Sequence, residues 1–289
     1  MEDYSQFIPK AHFERISIKN LVSNQEYQRN LSESHVKRTV ANFDPYQINP
    51  VKVSRRGGIN YVFNGQHTIE IIATVSGSRE TPVWCMIYDD LDYQQEADIF
   101  ANQQKYVKSL TPYEIFMANV EAGNDEQLII KDLVESYGLF LSSTKISGGI
   151  CAVSTLEYLH RKFGFHVLDR TLRLCIGTWE GDINSLTANI LKGIAKLLVA
   201  YENELKDDIF KEKVGRCSIK ELSRTAAERK AGSLGYAEAM LIVYNKKQRI
   251  QLRWSKLYKT KGEEQEEQDE KEYVLPKYEE ASSIELLEC

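Results

Sequence analysis

At 289 residues, with 42% hydrophobic and 27% charged content, the chain has the make-up of an ordinary soluble globular protein with room for a full core and two domains. No apolar run approaches the roughly 18–20 residues that cross a bilayer. The polar start Met1-Glu2-Asp3-Tyr4-Ser5 lacks the cationic and apolar regions of a secretion signal, so a cytoplasmic protein without membrane association is expected.

In chain order, residues 13–21 read as a short strand with partial period-two alternation. Ser32 is the expected N-cap of a helix carrying Val36, Val40 and Phe43 at helical spacing, which Asp44-Pro45 stops. Residues 50–54 and 59–63 form an expected β-hairpin, with Gly57-Gly58 supplying the positive φ values of its turn. The hairpin runs straight into Asn64-Gly65, after which Ile69, Ile71, Ile72 and Val75 make an apolar helical face ended by Gly77. Residues 81–88 read as a mostly buried strand. Residues 92–107 read as a helix with Ala97, Ile99, Phe100 and Ala101 inward. Short strands mixed with intervening helices, without a repeated βαβ series, predict an α+β fold.

Thr111-Pro112 opens a second region, with proline where a missing N–H costs nothing. Helical periodicity then covers 113–122, 125–137, 155–163, 167–179, 185–203, 207–213, 218–230 and 236–258, with Gly123, Gly138, Gly164 and Gly181 as C-terminal stops. The Ser/Thr/Gly-rich stretch 141–150 is a loop or hairpin. The expected organisation is a small mixed-sheet domain over 10–112, an all-helical domain over 113–260, and a tail over 261–289 with too few apolar residues to fold.

Net charge, −5 overall, is unevenly spread. Residues 213–261 carry 13 Lys/Arg against Glu221, Glu228 and Glu238, a balance of +10, whereas residues 262–289 carry 11 Asp/Glu against Lys271 and Lys277, a balance of −9. Cations at Lys220, Arg224, Arg229, Lys230, Lys246, Lys247, Arg249 and Arg253 suit contact with the phosphate backbone of DNA. A solvated helix face is the plainer reading, and Ala226, Ala227, Ala231 and Gly232 allow close approach of another backbone, as in a homodimer. The acidic tail, opposite in sign, is expected to fold back over the basic helices. The five cysteines, Cys85, Cys151, Cys175, Cys217 and Cys289, show no C-x-x-C pairing and suggest neither a zinc site nor a disulfide framework.

The stretch from Tyr61 to Ile72 carries the strongest functional signal. A strand that feeds through glycine into a helix start leaves several N–H groups without helical partners, with the positive end of the helix dipole behind them, and a phosphate fits there. Asn64-Gly65-Gln66-His67-Thr68 resembles the Asp-Gly-Gln-His-Arg turn of the ParB/sulfiredoxin superfamily. The flanks agree: Asn24 to Arg29 resembles the family's N-x-x-Q-R box, Ile48 to Val53 its next strand, and Asn102-Gln103-Gln104-Lys105 followed by Leu110-Thr111-Pro112-Tyr113-Glu114 its E-N-x-Q-R and L-x-P-x-E segments. Beyond residue 115 nothing comparable appears.

The resemblance implies a ParB-like N-terminal domain that binds CTP or ATP, with Mg as its companion, in a DNA-associated protein. It implies that Asn64, Gly65, Gln66, His67 and Thr68 cradle phosphate, that Arg29 and Lys105 neutralise it, and that Asn102 and Gln104 meet ribose, base or metal. The chain departs from the family at Thr68, where a bidentate arginine is expected, and at Ala101, which breaks the metal-holding Glu-Asn pair. Glu70 and Glu96, with Asn102, are the remaining candidate metal ligands. Gln66 stands where sulfiredoxin has its cysteine, which excludes sulfinic-acid reduction. Gly65 as a bare tight turn, with Asn64 and Thr68 as caps, is the bland alternative. Two other functions stay open: a metal-dependent nucleotide hydrolase or nuclease, and a protein-binding adaptor of a phage or mobile element. No catalytic residue is identified.

Overall fold

A computed structural model describes residues 8–23, 30–89, 91–106 and 109–258. The fold is α+β, and the chain divides into two compact units, residues 1–109 and 110–289.

The first unit is built on a five-stranded mixed sheet in the order β1-β5-β3-β4-β2, where β1 is Ala11–Ser17, β2 Leu21–Ser23, β3 Val51–Arg56, β4 Ile59–Asn64 and β5 Pro82–Tyr88. β3 and β4 form the expected antiparallel hairpin, with Gly57 at φ 55° and Gly58 at φ 79°, values whose twist matches that of the strands. Alternation decides which face is buried: in β5, Val83, Cys85 and Ile87 point into the core while Trp84 stays 58% exposed. Val51, Val53, Val62 and Ile16 join that face. Helix α2, Gln66–Ser76, covers it with Ile69.

Helix α1, Glu33–Ala41, starts on the predicted cap, since the Ser32 hydroxyl accepts the His35 N–H. Helix α3 spans Tyr93–Tyr106. Two expectations fail on these helices. Val75 is exposed, because the face of α2 that meets the sheet is Ile69 with Ile72 and Ala73 beside it at helical spacing. On α3, Ala101 is exposed and Glu96 is fully buried, paired with Arg56 at 2.8 Å while the Arg56 guanidinium lies 4.4 Å from the Tyr61 ring centre. A buried charge needs a partner, and an apolar periodicity scan does not see one.

The second unit is helical: α4 Pro112–Glu121, α5 Asp125–Ser136, α6 Val153–Phe163, α7 Phe165–Trp179, α8 Ala188–Tyr201, α9 Asp207–Val214, α10 Ile219–Arg229, α11 Gly232–Asn245 and α12 Trp254–Leu257. Thr111 and Glu114 close a reciprocal capping box on α4, and Ser218 with Glu221 does the same on α10. Residues 140–150 make no hairpin: Phe140–Leu141 (β6) and Gly149–Ile150 (β7) pair in parallel. The expected helix over 236–258 also breaks. The Asn245 amide bonds both backbone groups of Leu252 at 2.9 Å, ending α11, and Lys247 turns the chain at φ 57°. Ala226 is buried within its own unit and so offers no face to a second chain. The acidic tail lies outside the described residues.

Candidate anion site at the start of helix α2

β4, an inner strand between β3 and β2, ends at Asn64, and Gly65 then takes φ 109° and ψ 14° before α2 begins at Gln66. Only glycine suits this place. The φ lies outside the wells of other residues, and a Cβ would stand 3.1 Å from the Val51 backbone Cα and 3.3 Å from both Val51 methyls. The Gly65 carbonyl accepts the Ile69 N–H at 3.1 Å, so the helix closes normally from its first turn.

A cavity of about 430 Å³ opens at this turn, lined by Asn64, Gly65, Gln66, His67 and Thr68, by Asn30, Ser32 and His35 at the start of α1, and by Phe100 of α3. Two helix N-termini therefore converge on it. The backbone N–H of Ser32 donates to His67 Nε2 at 3.0 Å, which ties that imidazole to the start of α1. The His35 ring packs edge-on against His67 at 5.3 Å between centroids. Asn64 Nδ2 donates to Gln103 Oε1 at 3.2 Å and ties the turn to α3. Among the described residues the lining holds no carboxylate, lysine or arginine, so of these an anion would meet amides, hydroxyls and imidazoles.

Of the residues singled out in the sequence, Asn64, Gly65, Gln66, His67 and Thr68 come together, with Gln66 8% exposed. Asn102 is half-buried and Lys105 exposed on α3, and neither lines the cavity. Arg29 and the Gln104 side chain lie outside the described residues. Sequence reasoning missed Asn30, Ser32 and His35 as lining residues; Ser32 was legible as a cap, but its approach to His67 is tertiary.

The proposed metal ligands do not meet. Glu70 pairs with Arg79 at 2.5 Å and faces a separate apolar groove with Val36 and Val40, while Glu96 is engaged by Arg56. Among the described residues no three His, Cys, Asp or Glu side chains are grouped to hold a metal ion. This donor set does not fit Mg.

The candidate DNA contacts also separate by environment. Lys220 and Arg224 are exposed on α10. Arg229 is taken up by the buried Glu238 at 2.9 Å and lies 5.4 Å over Trp254, and Lys230 covers Tyr258 at 5.0 Å. Arg249 and Arg253 are exposed beyond α11. Lys246 and Lys247 line a cleft of about 430 Å³ together with Lys213, Arg216, Cys217, Glu221 and Val243.

The chain belongs to DUF6551, a family of unknown function, whose model matches residues 22–253. No curated protein matches it. Among solved structures it is similar to a C-terminally truncated chromosome-partitioning protein ParB from Caulobacter crescentus complexed with CTP-gamma-S, at 13% identity and TM-score 0.32, over 79% of this chain and 98% of that one. The same bacterium's ParB complexed to the centromeric parS site gives 14% identity and TM-score 0.24, over 80% and 98% of the two chains. A Pnob8-like ParB-N domain gives 17% and 0.27, over 82% and 94%. No helix among the described residues is long and apolar enough to cross a membrane.

Proposed function

We propose that the first unit binds the phosphate groups of a nucleotide at the Gly65 turn, and that the protein is a ParB-like, DNA-associated protein whose basic helical segment contacts nucleic acid. The observation that carries the nucleotide half is the left-handed Gly65 junction opening into a cavity shared by two helix starts. In this reading the start of α2 faces the phosphate oxygens, the Thr68 hydroxyl donates one bond, and the His67 ring, whose Nε2 accepts from Ser32, lies beside them. Phe100 supplies an aromatic surface for the base or sugar, and Arg29 is the cation that the sequence resemblance assigns to the pocket. The engagement of Glu70 and Glu96 by arginines favours binding over turnover.

Calorimetric titration of the full chain with CTP, ATP, GTP and UTP tests this, paired with amide NMR shifts at residues 65–68. Saturable heat from at least one nucleotide, with shifts centred on those amides, is expected. Four silent titrations would end the nucleotide reading. Anisotropy of labelled duplex DNA tests the second half separately.

A further inference from the structure

We propose that the cleft between the end of α9, the start of α10 and the end of α11 is a second phosphate-binding site, one that recognises phosphate by converging side-chain charge and ignores the base. Four cations reach it from three places: Lys213 from the last turn of α9, Arg216 from the connection to α10, and Lys246 and Lys247 from the turn after α11. Like charges gathered in a concave space repel one another and concentrate a positive potential there. Lys246 and Lys247 have no ion-pair partner among the described residues to relieve it.

Three further details fit an anion. The C-terminal carbonyls of α11 would by themselves repel one, but Lys213 Nζ bonds the Tyr244 and Lys246 carbonyls and cancels that end of the dipole. Among the described residues of the lining the single carboxylate, Glu221, is occupied with capping α10: it accepts the Ser218 N–H at 3.0 Å and the Ser218 hydroxyl at 2.9 Å. Arg216 pairs with Glu212 at 2.6 Å, but both side chains are largely exposed, at 76% and 62%, and such a bond yields readily to a better acceptor. With four cations against one carboxylate, the described residues of the lining carry a balance of +3.

Among the described residues the lining also contains no aromatic ring, only Val243 and Cys217 as apolar surface, so none of them stacks on a base. The ligand is therefore recognised by its phosphates, whether a soluble polyphosphate or successive phosphodiesters of nucleic acid. The nucleic-acid source rests on the DNA half of the function proposed above; the soluble source does not.

Cys217, half-buried in this lining, reports occupancy. The full chain is alkylated with and without inorganic triphosphate, and with and without a 20-base-pair duplex, and Cys217 is quantified by peptide mass spectrometry. The variants are Lys246→Glu with Lys247→Asn, asparagine being tolerated at the left-handed position, and Lys220→Glu with Arg224→Glu on the exposed face of α10. At least one probe should slow Cys217 alkylation tenfold or more, the Lys246/Lys247 variant should abolish that protection, and Glu221→Gln should strengthen it several-fold. Protection by triphosphate alone identifies a soluble ligand, and protection by duplex identifies the backbone. Unprotected Cys217 with both probes overturns the site. If the duplex still binds in that case and is lost only in the Lys220/Arg224 variant, the cleft fails while the DNA-associated reading survives.

Discussion

The cavity at the start of α2 and the cleft beside α11 enclose the same volume, about 430 Å³, but are made of opposite materials. Among the described residues the first presents backbone amides, hydroxyls and imidazoles arranged by one glycine turn; the second presents lysine and arginine side chains arranged by helix ends. Amides are fixed in place by the fold and carry partial charges, so they give geometry at little Coulombic reach. Lysines carry full charges on flexible stems, so they give reach without geometry. The first site is therefore open to damage through the backbone, and the second through salt and charge.

The largest expected effect is at Gly65. Substitution Gly65→Ala forces a Cβ to φ 109° and against Val51, which should cost about 3 kcal/mol of stability in the first unit and remove nucleotide binding. Gly77→Ala is the control: it ends the same helix at φ 68° with nothing near its Cβ, and should cost about 1 kcal/mol while sparing affinity. Thermal melts and calorimetry on both variants decide the matter. Equal effects would mean that the Gly65 junction is an ordinary turn.

Salt separates the two sites next. If the four cations of the cleft each neutralise one DNA phosphate, raising salt from about 50 to about 200 mM should weaken duplex binding about 10²-fold. Nucleotide binding at Gly65, supported by amides, should change only a few-fold over the same range. Parallel anisotropy and calorimetry at several salt concentrations would show it, and identical slopes would erase the distinction drawn above.

A smaller gain is expected from Thr68→Arg. Thr68 lines the cavity two residues into α2, and a guanidinium there adds a charge-assisted bond of about 1.5–3 kcal/mol, at least tenfold in affinity. Unchanged affinity in calorimetry would place the phosphate away from this turn.

What the sequence made legible is what local chemistry decides. The Gly57-Gly58 hairpin, the Ser32 cap, the Thr111-Pro112 start and the Gly65 junction each depend on a handful of adjacent residues, and all are in place. What stayed hidden depends on distant partners. Ser32 reaches His67 across 35 positions, Arg56 makes Glu96 a core residue, and Leu252 returns to end α11 at Asn245. For the same reason the eight basic residues looked alike in the sequence. Packing assigns Arg229 to Glu238 and sends Lys246 and Lys247 to the cleft.

The two units also differ in the depth of their cores, and two thiols report on it. Among the described residues the sheet core holds nine buried apolar side chains, including Cys85, and the helical core thirty-two, including Cys175. Burial pushes the Cys85 thiol up to about 11 and the Cys175 thiol up to about 12, so at pH 8 neither carries the thiolate that reacts. Exposed Cys151 should be alkylated at once under native conditions, and the buried pair only when its unit opens. The sign follows from the thiolate being the reactive form: opening returns each thiol towards its ordinary value of about 8.5 and raises reactivity at fixed pH. As urea is raised, Cys85 should be labelled at a lower concentration than Cys175, because fewer buried side chains oppose opening of the sheet unit. Coincident labelling would mean that the units open together, and that a substitution such as Gly65→Ala weakens the cationic cleft as well as its own site.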